Sequence, residues 1–166
     1  MRSVDEGTRR KLQLCVEEHA SEQLQFVIDL SHQNSFSHNK PGTDRVAEMI
    51  LERLAGVFPY HRVVDQESVG NLHLLSNADD GPSIYLLGHM DTVFPPDHPF
   101  RECYVQRDEL HGPGAGDMKA GLATIVYAVL TLEDAGILDR VPLTVALSGD
   151  EEIGAVTSRK VFETER

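Results

Sequence analysis

The sequence predicts an α/β fold, a mixed and mainly parallel sheet flanked by helices, and three observations carry that expectation. A short apolar run at residues 83–88 has strand length and is bounded by Gly81-Pro82 and by polar residues. A long apolar segment with helical character spans residues 117–136, and a second strand-like run occupies residues 143–147. Strand, helix, strand with so long a crossover argues for parallel pairing, because parallel neighbours cannot be joined by a tight turn.

Taken in order, residues 8–19 and 21–32 read as two helices, the second with Leu24, Val27, Ile28 and Ser31 on one face behind Ser21 as N-cap. Residues 35–41 read as a polar loop. Thr43 is the expected cap of a third helix, in which Val46, Ala47, Ile50, Leu51 and Leu54 keep helical spacing and Gly56 marks the stop. Extended runs at 60–66 and 71–75 precede a turn at 77–82. The strand at 83–88 reads as buried, with His89 and Asp91 at its carboxyl end. A Pro-rich loop then leads to a hairpin through Tyr104-Val105 and Glu109-Leu110. Asp117 is expected to open the long helix, which ends near Gly136. After the strand at 143–147, residues 148–154 lead into another helix.

With 166 residues, 40% apolar and 25% charged, the chain is expected to form one domain with an ordinary core. Acidic residues outnumber basic ones 27 to 15, giving a formal charge of -12, and no basic run exceeds Arg9-Arg10-Lys11. That balance argues against nucleic acid and against an anionic membrane as partners. Residues 1–10 lack the apolar centre of a secretory signal, and the longest apolar stretch, 121–132, is short for a bilayer span, so a cytoplasmic location is expected. Cys15 and Cys103 have no metal-type spacing and read as packing residues.

Three polar clusters fall at equivalent places in this scheme. His89 and Asp91 follow one strand, Asp117 starts the helix beyond it, and Asp150-Glu151-Glu152 follows the next strand. In open α/β sheets ligand sites gather outside the carboxyl ends of the strands. Residues i and i+2 of an extended chain point to one side, so His89 and Asp91 can share a pocket with the other carboxylates. Such a set suits divalent metals, zinc first, with Mn2+ or Co2+ as alternatives. One carboxylate can bridge two ions about 3.5–4 Å apart, and one of the paired glutamates is a candidate base for a metal-acidified water. Each cluster also has a plain structural reading, as a His-carboxylate pair, a helix N-cap or an acidic helix start; their joint placement favours a site.

The glycine-rich stretch from Gly112 to Gly121 invites comparison with nucleotide-binding loops and fails both fingerprints. Asp117 stands where the third glycine of G-x-G-x-x-G belongs, and Lys119 is followed by Ala120 where a Walker loop needs Ser or Thr. An aspartate at that helix start would also repel phosphate.

Gly88-His89-Met90-Asp91-Thr92-Val93, Gly112-Pro113-Gly114-Ala115-Gly116-Asp117-Met118-Lys119-Ala120-Gly121 and Asp150-Glu151-Glu152-Ile153-Gly154, in this order and spacing, resemble the M20 family of metallopeptidases. That family includes glutamate carboxypeptidases, acetylornithine deacetylases, succinyl-diaminopimelate desuccinylases and aminoacylases; the first two motifs tilt the resemblance towards the glutamate carboxypeptidase-like branch. The resemblance implies a zinc-exopeptidase-like catalytic domain and hydrolysis of an amide in a small peptide or N-acyl amino acid. It implies that His89 ligates one Zn2+ with Asp91 orienting its ring. Asp117 would bridge two ions, Glu152 would ligate the second, and Glu151 would serve as general base and acid.

Members of that family are much longer. The resemblance therefore implies that residues 1–166 correspond to the N-terminal portion of the catalytic domain. A lid or dimerisation domain, through which full-length relatives could form homodimers, would be absent, as would the C-terminal catalytic segment with two further metal ligands. Two protein ligands per ion are fewer than the three a catalytic zinc usually keeps. Weak metal binding and little or no hydrolysis are expected of this chain alone, with a non-catalytic binding or interaction module as the alternative. A single-metal hydrolase completed by another chain is a third possibility. An uncovered apolar edge or helix face is expected to accompany this arrangement.

Overall fold

A computed structural model describes residues 4–78 and 81–164; Asp79 and Asp80, in the turn expected at 77–82, lie outside them. The chain opens with one helix, α1 (Glu6–His32), where two were expected. Asp5 caps it by accepting from Thr8 N at 3.0 Å and Thr8 Oγ1 at 2.7 Å. Ser21 caps nothing, because residues 17–25 contain neither glycine nor proline and the helix runs straight through. The buried face is Phe26, Val27, Leu30 and Ser31, rotated from the expected one, and Leu24 is exposed.

Helix α2 (Lys40–Arg53) begins three residues before the expected cap. Asn39 accepts from Gly42 N, and Pro41 sits in the first turn, where its missing N–H costs nothing. Thr43 is buried inside the helix and donates to Asn39 O at 3.3 Å. Val46, Ala47 and Ile50 form the core-facing stripe.

Four strands form the main sheet: β1 (Tyr60–Val64), β2 (Gly70–Ser76), β3 (Ile84–His89) and, later in the chain, β6 (Leu143–Gly149), in the order β1-β2-β6-β3. Only β3 and β6 pair in parallel; β1/β2 and β2/β6 are antiparallel. The sheet is mixed and flanked by helices as expected, but the expectation of mainly parallel pairing is corrected. The parallel ladder is confined to the two strands joined by the helical crossover. A small hairpin, β4 (Tyr104–Gln106) with β5 (Glu109–His111), lies outside this sheet.

The crossover helix α3 (Ala120–Asp134) buries Leu122, Ala123, Val126, Tyr127 and Val129 and packs with α1 and α2 on one sheet face. By length and composition, residues 115–134 would also suffice to cross a membrane; here half of that surface is buried in the core. On the opposite face Leu72, Leu74 and Ala146 are covered by Val161 and Phe162 of α4 (Ser158–Thr164). Strand β3 is an edge, so it is not the buried strand its apolar run predicts. Ile84 and Leu87 are 56% and 55% exposed, the uncovered apolar edge that was expected.

Candidate metal centre

Three segments meet at the carboxyl ends of β3 and β6. His89 closes β3 opposite Ser148, and Met90 N–H donates to Ser148 O at 2.8 Å. That bond carries the ladder one residue further and delivers Asp91 into full burial. Gly88 lets α3 approach the strand end: a Cβ there would stand 2.8 Å from Leu122 Cδ2 and 3.2 Å from Ile125 Cδ1.

Glu151 and Glu152 lie in a 3-10 turn, Glu151–Ile153, directly after β6. Asp150 holds that region closed by accepting from Thr157 N at 2.7 Å, Thr157 Oγ1 at 2.7 Å, Ser158 N at 3.1 Å and Ser158 Oγ at 2.5 Å. Burial alone would raise the Asp150 carboxyl, but the Ser158 and Thr157 donors outweigh it and hold the group below its ordinary value.

Asp117 comes from a π-helical turn, Ala115–Lys119, entered through Gly114 at φ +70°. Asp117 itself has φ −141° and ψ 101°, and its peptide bond to Met118 is cis. The expectation that Asp117 opens the long helix is therefore corrected, since α3 starts three residues later. The extended backbone turns the carboxylate outwards, where the side chain is 77% exposed.

The imidazole of His89 is shared between two carboxylates. Its Nδ1 lies 3.3 Å from Asp91 Oδ1 and 3.1 Å from Asp91 O, while Nε2 lies 3.0 Å from Asp117 Oδ1 and 4.0 Å from Glu151 Oε2. Ligand atoms of His89, Asp117 and Glu152 all lie within 4.8 Å of one another. Zinc bonds of about 2.0–2.2 Å in a tetrahedron set neighbouring ligand atoms about 3.3 Å apart. The His89–Asp117 separation is close to that value, and Glu152 lies within 4.8 Å of both, so the donor set suits a divalent ion in its chemistry and a modest closure of Glu152 would give ligand spacing.

Burial opposes a charge on His89, but Asp91 and Asp117 outweigh it and push the imidazole up to about 9. Burial would raise Asp91 as well; bonds from His89 and Ser37 hold it below its ordinary value. Glu152 is raised, first by burial and then by the charges of Asp117, Asp91 and Glu151, with His89 acting the other way. A cleft of about 650 Å³ opens beside these groups between Leu87, His89, Met118, Glu151 and Phe162. Residues 94–100 do not line it; Phe94 instead packs on His98 and Phe100 at ring-centroid distances of 5.2 and 5.3 Å.

Sequence reasoning missed two buried groups. Ser37, inside the expected polar loop, donates to Asp91 Oδ2 at 2.7 Å. Lys119 sends its ammonium to Leu30 O and Gln33 O, each at 2.6 Å, pairing carbonyls at the end of α1. Both contacts join residues more than fifty positions apart, so no local pattern marks them.

The model of peptidase family M20/M25/M40 matches residues 85–166. Carboxypeptidase G2 of Pseudomonas sp. (strain RS-16) is 36% identical over 89 residues, which is 51% of this chain and 21% of that protein. The succinyl-diaminopimelate desuccinylase of Bradyrhizobium sp. (strain ORS 278) is 33% identical over 139 residues, 78% of this chain and 35% of that protein. Human carnosine dipeptidase 1 superposes with a TM-score of 0.77 at 18% identity, over 95% of this chain and 38% of that one, a likeness of fold. The chain thus spans about a third or less of the length of the curated relatives it matches.

Proposed function

We propose that this chain, which belongs to peptidase family M20/M25/M40, carries the metal-binding half of a hydrolase site for amide bonds in small peptides or N-acyl amino acids. The observation that carries this reading is the convergence of His89, Asp117 and Glu152 within 4.8 Å. In it, His89 and Asp117 would hold one Zn2+, with Co2+ or Mn2+ as substitutes, and Asp117 and Glu152 would hold a second. A bound divalent ion supplies Lewis acidity and acidifies a water molecule.

The chain's own residues supply the rest. Asp91 receives His89 Nδ1 and leaves Nε2, the nitrogen facing Asp117, as the ligand atom. Glu151 is the general base and later the acid. Its side chain is 57% exposed and reaches within 4.0 Å of His89 Nε2, close enough to take a proton from water in the cleft and return it to a leaving amine. Residues 1–166 are read as the N-terminal portion of the catalytic domain. Among residues 1–166 each ion would have two protein ligands, fewer than the three a catalytic zinc usually keeps, so these residues by themselves would bind it weakly.

Calorimetric titration of Zn2+ into the protein, beside a variant carrying His89→Ala and Asp117→Ala, tests the reading. Binding of about two ions per chain, lost in the variant, is the expected result for a two-metal site. No specific binding, or equal binding by the variant, would overturn it in favour of a non-catalytic interaction module.

A further inference from the structure

Asp91 is a hub as well as a partner of His89. It is fully buried, and each of its oxygens has two partners. Oδ1 accepts from Glu151 N at 3.2 Å and faces His89 Nδ1 at 3.3 Å; Oδ2 accepts from Glu152 N at 3.2 Å and from Ser37 Oγ at 2.7 Å. The orientation of this one carboxylate therefore sets both the imidazole ring and the turn that bears the two glutamates. The shortest of the four contacts comes from Ser37, in the loop between α1 and α2.

That loop is fastened beside Asp91 on both sides. Ser37 N–H donates to Thr92 O at 3.2 Å and Thr92 N–H to Ser35 O at 2.8 Å, forming a short parallel bridge between Phe36 and Thr92. The backbone of Ser37 thus has a fixed place relative to Asp91, and its hydroxyl, 1% exposed, is held under the carboxylate. Ser35, two residues earlier, provides a contrast in the same loop: it is 0% exposed, and its hydroxyl has no hydrogen-bond partner among the described residues.

We infer that Ser37 is a positioning residue for the metal centre: its hydroxyl locks the rotation of Asp91, and Asp91 in turn aims His89 and the Glu151–Glu152 turn. The inference rests on the reading of His89, Asp117 and Glu152 as metal ligands. Removing the hydroxyl takes away the shortest of the four contacts and leaves Oδ2 with the Glu152 amide alone, so the carboxylate is held less tightly, by the two amides and His89, and the ligand atoms lose part of their common aim. Removing the Ser35 hydroxyl takes away no bond to Asp91.

The test compares the wild-type chain, Ser37→Ala and Ser35→Ala by two readouts. In the metal-free proteins, nitrogen NMR follows the ring nitrogens of His89 and the amides of Glu151 and Glu152. Ser37→Ala is expected to shift all of them, and Ser35→Ala none. Titration with Co2+ then reads affinity and the visible absorption of the site. Ser37→Ala is expected to weaken binding about tenfold or more, the usual cost of losing a group that orients a ligand, and to change the absorption. A third measurement needs no variant: the Ser37 hydroxyl proton of the wild type is expected to exchange slowly with water.

Unchanged His89 and Glu151–Glu152 resonances in Ser37→Ala, with cobalt affinity and absorption matching the wild type, would overturn the inference even if the variant were less heat-stable. A rapidly exchanging Ser37 hydroxyl in the folded wild type would also overturn it. If the wild type binds no Co2+ while Ser37→Ala still moves the His89 and glutamate resonances, the metal reading fails and the positioning role stands.

Discussion

Asp150→Ala is expected to open the segment that carries both glutamates. The wild-type carboxylate is 1% exposed and accepts two backbone N–H groups and two hydroxyls from Thr157 and Ser158, at 2.5–3.1 Å. The hydroxyls can turn to other acceptors, but the N–H groups of Thr157 and Ser158 cannot. Leaving a buried donor unpaired costs about 1–3 kcal/mol, so the two together give a loss of about 2–4 kcal/mol once partial exposure of the opened loop is allowed for. Asp150→Asn keeps one acceptor oxygen and should lose less than half of that. The pH dependence has a defined sign. The folded carboxyl sits below its unfolded value near 3.8, so its stabilisation is fully present above about pH 4 and is lost as pH falls through the folded value. Urea unfolding at pH 7 and pH 3 reads both effects: the Asp150→Ala deficit should shrink at pH 3. A deficit under about 0.5 kcal/mol at pH 7, the scatter expected of an ordinary surface substitution, would refute the reasoning.

Three further outcomes are expected. Gly114→Ala places a Cβ 2.6 Å from Thr92 Cγ2 on a backbone at φ +70°, and should cost about 1–3 kcal/mol in thermal unfolding while weakening Zn2+ binding through Asp117; an unchanged melting temperature would contradict it. His73 is held below its ordinary value, first by burial and then by the His61 ring 3.1 Å away and by Lys40, with Asp44 and Asp65 opposing. The unfolded chain therefore binds more protons below about pH 6.5, and stability falls as pH drops through that region; His73→Phe should flatten the urea midpoints between pH 7 and pH 5. Burial pushes Lys119 down to about 7, so stability should rise with pH from about 7 towards 10.5, by at most about 1.4 kcal/mol per unit. The bonds to Leu30 O and Gln33 O favour the ammonium and keep the slope under that ceiling. Lys119→Met should abolish it, and equal slopes in both proteins would exclude the assignment.

The parts of this structure legible in the sequence are those where chemistry and local geometry coincide. His89 and Asp91 sit two apart at a strand end, so alternation alone puts them on one side. The acidic pair follows the strand that β3 pairs with, so one crossover suffices to bring the clusters together. The misreadings have a different origin. Nothing local distinguishes Ser21 in mid-helix from Ser21 as a cap, and only the absence of a breaker decides it. The exposure of β3 depends on its place at the sheet edge, which an apolar run cannot reveal. Asp117 looks like a helix cap because it precedes a helical pattern, yet its backbone is non-helical, in the π-helical turn entered through Gly114 at φ +70°. Ser37 and Lys119 act on residues 54 and 89 positions away, beyond the reach of any periodicity.

The electrostatics of the centre follow from how unevenly its charges are paired. Four carboxylates, from Asp91, Asp117, Glu151 and Glu152, converge on the single imidazole of His89, which even when protonated offsets only one of them. Asp91 is neutralised locally, being buried, bonded by four donors and lowered in pKa. The excess negative charge therefore falls on Asp117, Glu151 and Glu152, and it adds to burial, the larger cause, in raising the carboxyl of half-buried Glu152. The exposure of Asp117 and Glu151 makes that imbalance tolerable in a folded chain, since solvent screens both. The same exposure leaves their oxygens free to turn towards a cation. The fold thus concentrates its hydrogen bonds on Asp91 and Asp150, which shape the site, and gives the exposed Asp117 carboxylate one, from His89 Nε2. That division explains why Asp91 and Asp150, which fix the geometry, are buried while the carboxylates of Asp117 and Glu151 are exposed; His89, which Asp91 helps to place, is buried with them.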